Sequence, residues 1–158
     1  MILQQQYAMV QGSREILLSF VETSIGEDLN TPVPAYANKT IRQLLEHSAS
    51  CYFYWLAYFA LEWPLGSVNC EGFTTVPLIR GLYHQVDELI TTFLEKFSDN
   101  LDLPLSGEPE EWGDENATPL QLFTHVVTHE FHHKGQILVM SRQLGYIPPD
   151  TDVRLSFS

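Results

Sequence analysis

Apolar side chains return every three or four residues through nearly the whole chain, the repeat of helices that each bury one face. Helix one is expected over about residues 3 to 23, with Leu3, Tyr7, Val10, Leu17 and Val21 on one stripe and Gly26 beyond its end. Helix two opens at Thr40-Ile-Arg-Gln43, a capping box in which the threonine hydroxyl takes the Gln43 amide hydrogen and Gln43 reaches back. It runs to about Glu62 and stops before Pro64-Leu-Gly66. Helix three covers about 76 to 98, with Ile79, Leu82, Tyr83, Val86, Leu89, Ile90 and Phe93 inward, Thr75 as its cap and Pro77 in its first turn. The acidic, Gly- and Pro-containing stretch from Leu101 to Ala117 predicts a surface loop. Helix four starts at a second capping box, Thr118-Pro-Leu-Gln121, and ends at Gly145. Four long helices with connections long enough to cross over predict an all-α four-helix bundle.

The same stripes place the histidines. On helix four, Leu122, Val126, His129, His133, Gln136, Met140 and Leu144 share a face, so two imidazoles point where the core should be. On helix two, Leu44, His47, Cys51, Tyr54 and Tyr58 form the matching face. His47, His129 and His133 can therefore converge from two helices. Three neutral nitrogens with one position open is the layout of a reactive metal site, whereas structural sites usually fill all four positions. Cys51 is either a fourth ligand that would close the site or a small buried hydrophobe. His125, one turn before His129, is a ligand, a hydrogen-bond donor behind the ligands, or a lining of the site mouth. His132 and His84 are expected in solvent. Arg14, on the apolar stripe of helix one, either meets a substrate carboxylate or snorkels outward.

His129-Glu-Phe-His-His133 also satisfies H-E-x-x-H, the zinc-protease helix with glutamate as general base. That reading lacks its third ligand, because no His or Glu follows His133 and Val139 stands where an extended motif needs histidine. Glu130 points about 100° away from His129, towards the flank or surface of a bundle helix, and is expected to be dispensable for metal binding.

Composition narrows the function further. A chain of 158 residues, 44% hydrophobic, suits one domain over residues 1–158 that buries roughly two-thirds of its unfolded surface. A formal charge of −12, from 20 acidic against 8 basic residues, opposes nucleic acid and anionic membranes as partners. Two cysteines make no disulfide framework, the N-terminus lacks a signal-peptide pattern, and no apolar run approaches the ~20 residues of a membrane span. A cytoplasmic protein is expected. The run Cys51 to Leu61 is apolar nearly all round and predicts deep burial or a subunit interface; Trp112, in the acidic stretch, is placed to fold over the site.

Glu46-His47-Ser48, the run His125-Val-Val-Thr-His129-Glu-Phe-His-His133-Lys-Gly-Gln-Ile, Arg142-Gln-Leu-Gly145 and Pro148-Pro-Asp-Thr-Asp152 together resemble the DinB/YfiT-like metal-binding bundle proteins, over essentially the whole chain. The resemblance implies a four-helix bundle with a divalent metal, often nickel or zinc, at the positions matching His47, His129 and His133, commonly in a homodimer. It also implies a small-molecule substrate, since some members look like thiol S-transferases whose metal activates a low-molecular-weight thiol. The functional classes to separate are a metal-dependent transferase or hydrolase, a non-catalytic metal-binding or stress-response bundle, and a zincin-like protease.

Overall fold

A computed structural model of the chain describes residues 2–107 and 115–156. Its frame is four α-helices: α1 Ile2–Phe20, α2 Ile41–Tyr52, α3 Val76–Phe97 and α4 Pro119–Gln143. Both capping boxes form. The Gln43 amide donates to Thr40 Oγ1 over 3.1 Å and the Thr40 amide to Gln43 Oε1 over 2.9 Å. Thr118 and Gln121 exchange the same two bonds at 3.3 and 2.8 Å, with Pro119 at the first helical position. Thr75 takes the N-cap position of α3 in an extended conformation, but its side chain makes no capping bond; the preset φ of Pro77 helps start that helix instead. Helices α1 and α2 each run on into wider π-helical turns, Val21–Ile25 and Phe53–Ala60, which bring their ends close to those the hydrophobic stripe predicts.

The expected loop of 101–117 instead contains a short antiparallel ribbon, β1 Leu105–Gly107 with β2 Glu115–Ala117, in the register Leu105–Ala117 and Gly107–Glu115. Three residues per strand are too few to show alternation against an acidic, Gly- and Pro-rich background. The ribbon lies on the core through Leu105 and Ala117. Gly107 permits the approach, because a Cβ there would stand 2.8 Å from the Phe59 ring. Trp112 lies outside the described residues.

Helices α2 and α4, distant in sequence, pack side by side and run antiparallel: His47 meets His129 and His133, while Cys51, one turn later, meets His125. The core also takes in Leu17, Leu45, Tyr52, Ile79, Val86, Phe93, Phe123 and Ile137, so all four helices contribute to it. In the aromatic run, Phe53, Leu56, Ala57 and Ala60 are buried, whereas Tyr54, Trp55, Tyr58 and Phe59 are half-buried and packed on the core. Among the described residues no helix is long and apolar enough to cross a membrane.

Candidate metal centre

Helical spacing brings His129 and His133 to one face of α4, and the antiparallel packing sets His47 of α2 against both. The ligand atoms of the three imidazoles all lie within 4.8 Å of one another. Ring centroids are 4.4 Å apart for His129 and His133, 4.8 Å for His47 and His133, and 5.1 Å for His47 and His129. His129 Nε2 and His133 Nε2 stand 3.2 Å apart. Two nitrogens bound to one tetrahedral ion at 2.0–2.1 Å would be about 3.3 Å apart, so this pair already has the spacing of a chelate. The three grade from open to closed: His47 is exposed, His129 half-buried and His133 buried.

Gln136 completes the frame. His133 Nδ1 donates to Gln136 Oε1 over 2.7 Å, which holds the proton on Nδ1 and leaves the Nε2 lone pair facing His129. Its amide nitrogen donates to His132 Nε2 over 3.2 Å. Gln136 was legible as a member of the inward stripe; its orienting role follows from standing three residues after His133. His129 Nδ1 is buried with no hydrogen-bond partner among the described residues.

The electrostatics favour neutral rings. Burial, then the neighbouring rings His133, His47, His125 and His132, lower the pKa of His129 to about 4. Burial lowers His133 as well, opposed by its Gln136 hydrogen bond, and burial followed by Lys39 lowers His47. Neutral imidazoles present lone pairs, and crowding that repels protons from three adjacent nitrogens is relieved by a shared cation. The residues present therefore fit a divalent ion.

Around this cluster, Cys51 Sγ stands 3.6 Å from His125 Nε2, and burial pushes the thiol up to about 12. Cys51 is buried and turned to His125, outside the three-imidazole group. His125 lies at the rim, its ring 5.7 Å from His129 and edge-on to Trp55 at 5.5 Å. His132 and His84 are exposed.

Two expectations are corrected. Glu130 is buried, at 7% exposure, because α4 packs on α1 as well as on α2 and so hides two faces. Arg14, at 4%, neither snorkels nor waits for a ligand. Its Nε and Nη2 donate to Glu130 Oε1 and Oε2 at 2.8 and 2.9 Å, and its Nη1 to Asp87 Oδ1 at 2.8 Å. Tyr52 Oη donates to Glu130 Oε2 over 2.5 Å. Although burial disfavours its charge, the Glu130 carboxylate, through its charge and its hydrogen bonds, holds the Arg14 pKa well above its usual value. The signal in the sequence was a charge inside an apolar stripe on each of two helices, but nothing there paired them.

A helical bundle with an imidazole cluster between two of its helices is the class of protein that fold and site define together. The chain belongs to the DinB family, whose model matches residues 1–157. Protein DinB of Bacillus subtilis (strain 168) is 34% identical over 74 residues, which is 47% of this chain and 42% of that protein. The match thus spans less than half the length of that curated relative.

Proposed function

We propose that the chain is a divalent-metal-binding bundle protein in which His47, His129 and His133 hold one zinc or nickel ion, and that it acts on a small molecule as a metal-dependent enzyme, a thiol S-transferase or a hydrolase. The observation that carries this reading is the meeting of three imidazoles from two helices within 4.8 Å. A bound divalent ion supplies Lewis acidity, lowering the pKa of a water or thiol beside it. The chain's own part is to present the three lone pairs, to fix the His133 tautomer through Gln136, and to leave the His47 side open to solvent for the substrate. Cys51, turned to His125, supports an open fourth position over a saturated structural site.

The protease reading needs Glu130 as a free general base beside the ion. Its carboxylate is instead the buried counter-ion of Arg14, with Tyr52 on one oxygen, which speaks against that role. The proposal further takes residues 1–158 as one domain, cytoplasmic and homodimeric. The free cysteines Cys51 and Cys70 and the half-buried aromatics of the 51–61 run support it. Elemental analysis of the purified protein together with a thiol-transfer assay tests the function. About one zinc or nickel per chain and turnover lost on chelation are expected; metal uptake without turnover of any thiol or hydrolysable substrate would leave a non-catalytic metal-binding bundle.

A further inference from the structure

We propose that Arg14, Glu130 and Tyr52 are positioning residues for the metal centre, a buried clamp that holds α2 and α4 in the rotation at which the three imidazoles meet. This rests on the reading of the triad as a metal site, and it gives Glu130 an indirect part in metal binding, whereas its place off the ligand face predicts that it is dispensable. Each helix contributes to the clamp. Arg14 and Tyr7 come from α1, Tyr52 from α2, Asp87 and Tyr83 from α3 and Glu130 from α4. Beyond the fork onto Glu130, Arg14 Nη2 donates to Tyr7 Oη over 2.9 Å, Tyr7 Oη donates to Asp87 Oδ1 over 2.7 Å, and the guanidinium carbon sits 4.5 Å from the centre of the Tyr83 ring.

The clamp adjoins the ligands through the chain itself. Glu130 follows His129 directly and precedes His133 by three positions, and the Tyr52 bond to Glu130 joins the two helices that carry the triad. A helix turned by 20° about its axis moves a side-chain tip at roughly 5–6 Å radius by about 2 Å. Metal–ligand distances tolerate only about 0.2 Å. Fixing Glu130 between Arg14 and Tyr52 therefore fixes where His129 and His133 point. Stability alone is a weak reason for such a network, since a buried ion pair in a hydrophobic core often does no better than apolar residues of the same volume, and its best-attested use is to set register.

The test separates zinc affinity from folding. Zinc binding, by competition with a chromophoric chelator, is compared for the wild type, Tyr52→Phe, the double variant Arg14→Met/Glu130→Met, and His47→Ala, all well below their unfolding midpoints. A merely structural clamp leaves affinity unmoved in folded protein. The proposal expects the double variant to bind zinc about 10- to 100-fold more weakly, the range of residues that orient metal ligands, and Tyr52→Phe to lose several-fold. Wild-type affinity in a folded double variant overturns it. Should that variant not fold, unchanged affinity in Tyr52→Phe does the same. Unchanged affinity in His47→Ala instead overturns the triad reading, and the clamp's purpose with it, whatever the other variants show.

Discussion

At the scale of single residues, neighbours decide what Glu130 and His129 can do. The Glu130 carboxylate faces Arg14 and Tyr52, so its charge serves the core rather than the imidazoles one residue away. Removing the cation strands that charge in a dry site. Arg14→Ala should therefore lower the unfolding free energy by about 3–5 kcal/mol in urea titrations, the cost of breaking a buried pair; a loss below about 1 kcal/mol would contradict its burial. The position of Arg14 was legible as an anomaly on an apolar stripe. Its partner was not, because reasoning about one buried face of α4 sends Glu130 to the flank, and only the packing of α1 on α4 reveals a second buried face. The imidazoles give a prediction in pH. In metal-free protein His129 stays neutral down to about 4, and His47, His133 and His125 are lowered too, while in the unfolded chain they take up protons below 6.5. The unfolded state then binds more protons between these values, so stability is full above about pH 6.5 and falls as the pH drops towards 4. The diagnostic window is about pH 5 to 6.5, where unperturbed carboxylates are already ionised. A urea midpoint that is flat across it would contradict the assignment, and His129→Gln should flatten it in part.

At the scale of elements, the starts of α2 and α4 were readable to the residue because a capping box is a local code, satisfied by side chains three positions apart. The meeting of His47, His129 and His133 was readable for the same reason, since they stand where helical spacing puts them, but His47 lies exposed at the open side of the cluster rather than pointing into the core. The β1–β2 ribbon was not readable, since what fixes it is tertiary contact with Leu105, Ala117 and Phe59 rather than a repeat in its own six residues. That contact is testable at Gly107. An added Cβ would meet Phe59 at 2.8 Å, and Phe59 in turn packs edge-on against Trp55, the neighbour of His125. Gly107→Ala should cost about 1–3 kcal/mol through overpacking and perturb Trp55 fluorescence. Wild-type stability with an unchanged spectrum would mean that the ribbon does not rest on Phe59.

At the scale of the molecule, the bundle joins two devices across the same helices: an imidazole cluster between α2 and α4 and a charged clamp that reaches all four. The half-buried aromatics of the run from Tyr54 to Phe59 leave apolar surface that a second copy would cover. Sedimentation should then give about twice the chain mass of 18.1 kDa, and a monomer at micromolar concentration would mean that this surface serves within one chain. The central claim is that the metal is held across α2 and α4, and the most direct test is the metal content of His47→Ala. The protease motif lies wholly on α4, so that reading leaves the ion in place when His47 is removed. The bundle reading takes away one of three ligands on the opposing helix, and predicts that elemental analysis of folded His47→Ala finds little or no zinc or nickel where the wild type carries about one ion per chain. Full occupancy in His47→Ala would contradict it.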